Sequence, residues 1–221
     1  MQQSRNNQLR EATITSLLHR SAPSNNRRTR YALDGMDPQL TDLLREMESA
    51  TQQHGGTPRI AREAGLFLNL LVKATCATRL LLVGAANGYT ALWLAEAACA
   101  TGGTLLAIER DVWKVELLKK LFARSPHRNC IDLLLGDALE LLPVAEGPFD
   151  FVLLNGEKTQ TLHYFHILAE KLKSGALICC AKAMSNAGAL TEYLTYVHER
   201  PGLESVLVPI GEGIEMTYKS P

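Results

Sequence analysis

The chain has 221 residues, 46% of them hydrophobic, and its 23 basic side chains balance 23 acidic ones. This length and apolar content suffice for one globular domain with its own core, and no apolar run approaches the ~20 residues that cross a bilayer. The zero net charge argues against a nucleic-acid or membrane-surface partner, because both usually require a basic face.

Residues 1–30 are polar and carry six arginines against a single acid, Glu11. We interpret this segment as a flexible arm, or as an arm that packs on a partner subunit. An Arg-rich, acid-poor composition is also typical of an organelle transit peptide, and that alternative stays open. The globular domain is expected over residues 31–221.

Two helices are predicted before the first strand. Asp37-Pro38 opens the first helix, since aspartate caps a helix and proline suits its first turn. Residues 54–58 break that helix, and apolar spacing predicts a second helix over residues 61–75. We expect these two helices to form a roof over a cofactor or a substrate.

From residue 79 onward, short apolar runs alternate with helical patterns. The predicted strands are 79–83, 104–109, 131–136, 149–154 and 176–181, and the predicted helices are 88–100, 111–124, 138–142, 159–172 and 186–199. Such alternation indicates a parallel sheet with helices on both faces.

The chain ends differently. Two further strands, 203–208 and 214–218, are separated by only five residues. So short a link allows a hairpin but not a parallel crossover. The sequence therefore predicts an α/β fold with a seven-stranded, mostly parallel sheet that contains one antiparallel strand.

A loop of small residues joins the first of these strands to its helix, with Gly84 and Gly88 at its ends. Glycine permits a sharp turn and lets a ligand approach the main chain, while the N–H groups that begin the helix face that ligand. The carboxyl end of a first strand is a nucleotide position in such folds. A simpler interpretation, in which the glycines only form a tight turn, stays open for the loop alone.

Acidic residues follow the next two strands. Glu109 ends the second strand, where a carboxylate accepts hydrogen bonds from both ribose hydroxyls, and Asp137 follows the third strand beside the adenine position. The G-x-x-x-G spacing differs from the G-x-G-x-x-G of dinucleotide sites. The ordered set favours S-adenosylmethionine over NAD.

With these motifs in this order, the chain resembles the S-adenosylmethionine-dependent O-methyltransferases of the catechol and caffeoyl-CoA type from about residue 31 to residue 219. The resemblance rests on Gly65-Leu66-Phe67-Leu68, Gly84-x-x-x-Gly88-Tyr89-Thr90-Ala91-Leu92, Ile108-Glu109-Arg110-Asp111, Gly136-Asp137-Ala138-Leu139 and Gly147-Pro148-Phe149-Asp150. It implies a class I, Rossmann-like methyltransferase domain over residues 31–221, and a homodimer.

The resemblance also implies cofactor-binding positions. They are Gly84, Ala85, Ala86, Gly88, Tyr89, Thr90, Glu109, Arg110, Gly136, Asp137 and Ala138. The loop 84–88 and Thr90 would hold the amino-acid part of the cofactor, Glu109 the ribose hydroxyls, and Asp137 with Ala138 the adenine. One departure is Leu82, where the family usually has an acid that contacts the loop or the cofactor ammonium.

A larger departure concerns the metal. The family binds a divalent cation with an aspartate after the fourth strand and an Asp-Asn pair after the fifth. Here those positions are Asn155, Ala181 and Lys182. Hard cations prefer carboxylate oxygens, so an amide, a methyl group and an ammonium do not form a site for one. The sequence predicts no metal.

Two lysines, Lys158 and Lys182, are the candidates for the work of that cation, and Asn155 is a third catalytic candidate. An ammonium stabilises a developing phenolate electrostatically. Lys158 stands where the catechol branch has a lysine thought to accept the hydroxyl proton, which requires a lowered pKa. The alternative, that both are solvated lysines at a helix start and a strand end, stays open.

The five cysteines are Cys76, Cys99, Cys130, Cys179 and Cys180. Their number is odd, they form no C-x-x-C pair, and four lie in or beside apolar segments, where free buried thiols are common. This usage predicts free thiols in a reducing compartment, and we expect a cytoplasmic protein.

We therefore predict a metal-independent methyltransferase that uses S-adenosylmethionine, acts on a hydroxyl of a small aromatic molecule and releases S-adenosylhomocysteine. Two alternatives stay open. One keeps the fold and cofactor but methylates nitrogen or carbon, catalyses a rearrangement, or only binds the cofactor. The other is an NAD-dependent oxidoreductase.

Overall fold

The computed structural model describes residues 35–53 and 60–221. The predicted arm of residues 1–30 and the predicted helix break at residues 54–58 lie outside this part of the chain. None of the helices in the described part has both the length and the apolar character that crossing a bilayer requires.

Two helices precede a regular alternation of strands and helices, as predicted. The helices are α1 (Pro38–Gln53), α2 (Arg62–Ala74), α3 (Tyr89–Ala100), α4 (Val112–Ala123), α5 (Ala138–Val144), α6 (Thr161–Leu168) and α7 (Thr191–Glu199). The strands are β1 (Arg79–Val83), β2 (Thr104–Glu109), β3 (Ile131–Leu135), β4 (Phe149–Leu154), β5 (Leu172–Ala181), β6 (Leu203–Val208) and β7 (Ile214–Lys219).

Within the described residues, seven strands form one sheet in the order β3-β2-β1-β4-β5-β7-β6. Strand β7 pairs antiparallel with both β5 and β6, and the other neighbours pair in parallel. The predicted single antiparallel strand is therefore confirmed. Strands β1 and β4 are buried almost throughout, as expected of central strands covered on both faces. The strand order reverses between them, which opens a crevice at their carboxyl ends.

Three predicted elements have boundaries that differ from the structure by four residues or more. The predicted helix 159–172 is the shorter α6 between two 3₁₀ turns, and β5 begins at Leu172 rather than at residue 176. The Lys219 ammonium donates to the carbonyls of Ala169 and Leu172 at 2.9 and 3.1 Å, so the end of β7 binds the 3₁₀ turn after α6 and the first residue of β5. The predicted helix 186–199 begins only at Thr191, because turns occupy the preceding residues.

The prediction of five free thiols is wrong for one pair. Cys99, in the last turn of α3, forms a disulfide with Cys130, just before β3, and their Cα atoms are 5.8 Å apart. Of the other cysteines, Cys76 is exposed and free, whereas Cys179 and Cys180 are buried and free. The two bonded positions are 31 residues apart, so only the packing of α3 against the 3₁₀ turn before β3 brings them together.

A partly buried ionic cluster joins α1 and α2 to the start of α3. The Glu48 carboxylate pairs with the Arg62 guanidinium, and their side chains are 15% and 23% exposed. Glu48 also accepts a hydrogen bond from the Tyr89 hydroxyl at 2.5 Å. Burial and this hydrogen bond raise the pKa of Tyr89, so the phenol stays a donor. One carboxylate thus holds three helices together beside the small-residue loop.

We expect Arg62→Met to lower the free energy of unfolding by about 1–3 kcal/mol, because it leaves the partly buried Glu48 with one hydrogen-bond donor. Urea unfolding measures this loss. Arg124→Met is the matched control, since Arg124 pairs with Glu46 in a fully exposed setting and its removal should change stability little. Equal losses for the two variants would contradict the role given to burial.

Candidate active site

A cleft of about 240 Å³ lies where the strand order reverses, at the carboxyl ends of β1 and β4. The predicted site residues that line it are Gly84, Ala86, Glu109, Arg110, Gly136, Asp137, Ala138, Asn155 and Lys158. Four parallel strands therefore bring most of the predicted residues to one edge of the sheet.

Other residues depart from the prediction. The lining does not include Ala85, Gly88, Tyr89, Thr90 or Lys182, and it adds Val83, Ile108, Lys114, Gly156, Glu157 and Tyr164. Most of the added residues are neighbours in sequence of predicted site residues at the strand ends. The predicted strand ends could therefore have indicated them. Tyr164 had no such signal, because it enters from α6, where its hydroxyl donates to Gln160 at 2.5 Å.

The two glycines of the loop are required by the protein itself. Gly84 has φ +85°, and a Cβ there would lie 2.8 Å from the Gly156 Cα. Gly88 has φ +86°, and its Cβ would lie 2.5 Å from Leu121 Cδ2 on α4. A left-handed backbone and close packing exclude a side chain at both positions.

The N–H groups of this loop are mostly engaged within the protein. Those of Gly84 and Ala85 both donate to the Ile108 carbonyl at 3.0 Å, and that of Gly88 donates to Ala85 at 2.9 Å. The Ala86 N–H donates to Glu109 Oε2 at 2.8 Å. The expectation that glycine opens this main chain to a ligand therefore needs correction, since a ligand here would meet carbonyls and side chains first.

Glu109 stands at the end of β2 and is 6% exposed. Besides the Ala86 N–H, its carboxylate accepts the Asp111 N–H at 3.1 Å, and the Lys114 ammonium lies 3.9 Å away. Two backbone donors on one side chain fix its position in the cleft. Asp137 is fixed in a similar way, because it caps α5 by accepting the Leu139 N–H at 2.8 Å.

Asn155 joins the ends of β1 and β4. Its backbone N–H donates to the Val83 carbonyl at 2.9 Å, and its side-chain Nδ2 donates to the Gly84 carbonyl at 3.0 Å. The side-chain amide therefore fixes the start of the loop 84–88 against the end of β4. The sequence predicted a catalytic role for Asn155 and did not predict this positioning role.

Lys158 lines the cleft with a half-buried side chain, and its ammonium lies 3.5 Å from the Leu154 carbonyl. Burial lowers the pKa of Lys158, and the positive charge of Lys182 lowers it further. The negative charges of Glu157 and Glu212 oppose this shift. Lys158 is therefore no freely solvated helix-start lysine.

Lys182 lies directly after β5 and does not line the cleft. Its backbone has φ +63°, and its ammonium pairs with Glu212 Oε1 at 3.3 Å. Glu212 Oε2 accepts the Ser185 hydroxyl at 2.9 Å, which ties the β6–β7 loop to the segment after β5. The charge of Lys182 therefore acts on Lys158, but the Lys158 side chain lines the cleft whereas the Lys182 ammonium is paired with Glu212.

The donor set at the ends of β4 and β5 does not fit a divalent cation. Asn155 directly follows β4, and Ala181 and Lys182 come at the end of the neighbouring strand β5. Across residues 35–53 and 60–221, no group of three His, Cys, Asp or Glu side chains is placed to hold a metal ion. An amide, a methyl group and an ammonium supply no carboxylate oxygen.

The sequence profile of the O-methyltransferase family matches residues 35–220 of this chain. The chain belongs to the O-methyltransferase family. It is 29% identical over 190 residues to the catechol O-methyltransferase of Mycobacterium tuberculosis, with 80% of this chain and 84% of that protein covered. It is 25% identical over 223 residues to the caffeoyl-CoA O-methyltransferase of Eucalyptus gunnii, with coverages of 90% and 89%.

A solved structure gives the same result. The crystal structure of cofactor-bound Rv0187 from MTB superposes with a TM-score of 0.70 at 26% sequence identity, covering 85% of this O-methyltransferase and 92% of that chain. The predicted family, the class I methyltransferase fold and the enzyme class are therefore confirmed. The family assignment favours methyl transfer over the oxidoreductase alternative.

We expect Gly84→Ala to destabilise this O-methyltransferase clearly more than Gly102→Ala, as measured by urea unfolding. Both glycines have positive φ, +85° and +72°, so each alanine carries the same backbone strain of about 1 kcal/mol. Only Gly84 has backbone atoms where the new Cβ would lie, whereas nothing is within 4 Å at Gly102. Similar losses would show that the Gly84–Gly156 contact is not tight.

Proposed function

We propose that the cleft binds S-adenosylmethionine and that this O-methyltransferase acts on a hydroxyl of a small aromatic molecule without a divalent cation. The observation that carries the proposal is the donor set, in which Asn155, Ala181 and Lys182 stand at the strand ends while Lys158 lines the cleft. The methyl acceptor is a small molecule, as the names of the catechol and caffeoyl-CoA relatives suggest.

The cleft residues fit this cofactor. Glu109, fixed by two backbone N–H groups, would accept the ribose hydroxyls, and Asp137 with Ala138 would flank the adenine. Gly84 and Ala86, the residues of the loop 84–88 that line the cleft, would contact the amino-acid part. When bound, S-adenosylmethionine supplies an electrophilic methyl group and leaves as S-adenosylhomocysteine.

The protein would supply a base and an electrostatic environment. Lys158 accepts the hydroxyl proton of the acceptor in its neutral form, which burial and the positive charge of Lys182 favour by lowering its pKa. The resulting ammonium then stabilises the acceptor oxygen. Lys182, held by Glu212, contributes positive charge from the rim rather than a direct contact. Asn155 positions the loop under the cofactor.

Three other expectations stay predictions beside this proposal. They are a homodimer, a cytoplasmic location, and an arm over residues 1–30 ahead of a domain over residues 31–221.

Methyl transfer from labelled S-adenosylmethionine to a phenolic acceptor should proceed in the presence of EDTA. The reason is that no step requires a bound cation, since the base and the positive charge come from lysines. Scintillation counting of the methylated product measures it, with and without added magnesium. Activity that disappears with EDTA and returns with magnesium would contradict the proposal.

The dependence of kcat/KM on pH tests Lys158 as the base. Because the neutral amine accepts the proton, kcat/KM should rise with pH through the lowered pKa of Lys158 and level off above it. Lys182→Met removes a positive charge that lowers this pKa, so the rise should move to higher pH. Lys158→Met should lower kcat by about 10²–10⁴ and abolish the rise.

Calorimetric affinity for S-adenosylhomocysteine serves as the control for both variants, since neither side chain is assigned to the cofactor. An unchanged pH profile in Lys182→Met, or full activity in Lys158→Met, would exclude Lys158 as the base.

A further inference from the structure

Three basic side chains line the cleft, and they differ in whether a carboxylate lies within ion-pair distance. Arg110 pairs with Glu157 at 3.7 Å, and Lys114 lies 3.4 Å from Asp111. Lys158 forms no ion pair with a carboxylate in the described residues, 35–53 and 60–221, and its ammonium donates to the Leu154 carbonyl at 3.5 Å. The cleft therefore contains a half-buried cation whose charge is not balanced by direct contact.

The carboxylates that line the cleft are already engaged. Glu109 accepts two backbone N–H groups, Asp137 caps α5, and Glu157 pairs with Arg110. None of them is free to turn toward Lys158 without breaking another contact. A half-buried cation gains most from a partner of opposite charge, so a ligand that brings a negative oxygen would complete this site.

A lysine and a metal ion select different acceptors. A divalent cation is chelated by two adjacent oxygens of one molecule, which is why it favours a vicinal diol. An ammonium is a compact point charge that needs a single oxygen. None of the neighbouring positions chelates two adjacent oxygens as a metal ion does, because Asn155 donates its amide to Gly84, Ala181 presents a methyl group, and Lys182 is paired with Glu212.

Resting on the proposed function, we propose that the acceptor is an aromatic molecule with one acidic hydroxyl, bound as a phenolate against the Lys158 ammonium, and that no vicinal hydroxyl is required. The hydroxyl proton goes to Lys158 Nζ, and a lone pair of the phenolate oxygen forms the new O–CH₃ bond. The S–CH₃ bond breaks with its electron pair left on sulfur. Lys158 later returns the proton to water.

A matched pair of acceptors tests the specificity. In EDTA, 4-nitrophenol and 4-nitrocatechol are similarly acidic and differ by one hydroxyl, so their kcat/KM values should agree within about threefold. A site that binds the second hydroxyl would favour the catechol by orders of magnitude, because its polar groups would be left unpaired by the phenol. A preference for the catechol above about 30-fold in EDTA would overturn this inference while leaving the proposed function standing.

A binding measurement tests the ion pair without any turnover. The absorbance of 4-nitrophenolate reports its ionisation, so 4-nitrophenol bound with S-adenosylhomocysteine should stay ionised at a pH where the free phenol is protonated. Lys158→Met should lose this signal and still bind S-adenosylhomocysteine. Lys120→Met, which removes an exposed lysine on α4, should keep it.

The outcomes separate the two proposals. A phenolate signal that depends on Lys158, with similar rates for both acceptors, supports the inference. Ionisation that survives in Lys158→Met, or methylation of neither phenol, overturns it. Methylation that occurs only with magnesium overturns the proposed function, and the specificity inference with it.

Discussion

The contact between the carboxyl ends of β1 and β4 is the constraint on which the rest of the site depends. There the Gly84 backbone lies so close to Asn155 and Gly156 that a single Cβ would not fit. Asn155 strengthens the contact with hydrogen bonds to Val83 and Gly84. Because the strand order reverses between these two strands, this contact forms the floor of the crevice, and every lining residue is placed relative to it.

Charge is distributed unevenly around that floor. On the side of β2, Glu109 is held by backbone donors, and the cations of α4 and its preceding loop have acidic neighbours. On the side of β4 and β5, the positions where the family resemblance predicted cation ligands carry an amide, a methyl group and an ammonium. The half-buried Lys158 lies on this second side, in the turn that follows β4. This asymmetry favours an O-methyltransferase that recognises its acceptor by charge rather than by chelation.

Much of the fold was predictable because its signals are local. The apolar runs of β1 and β4 are bounded by glycine or polar residues, which marks them as strands. The five-residue link between β6 and β7 is too short for a parallel crossover, so its length predicted their antiparallel pairing. Predictions failed where a distant residue decides the local structure. Lys219 binds the carbonyls of Ala169 and Leu172 after α6, and the packing of α3 against the 3₁₀ turn before β3 brings Cys99 to Cys130.

The sequence by itself determined the class I architecture, the family, and the positions at the strand ends where a cofactor and a cation would be sought. The architecture depends on periodicity and spacing, which the chain order contains, whereas the family and the cation positions followed from the resemblance of the motifs. Only the tertiary structure decided that the N–H groups of the loop 84–88 are mostly hydrogen-bonded within the protein. It also decided that Asn155 joins the ends of β1 and β4 by hydrogen bonds. The tertiary structure also pairs the Lys182 ammonium with Glu212, whereas Lys158 forms no ion pair with a carboxylate in the described residues. The physical reason is that a side chain's partners come from elements far away in sequence, and its charge depends on how those elements bury it.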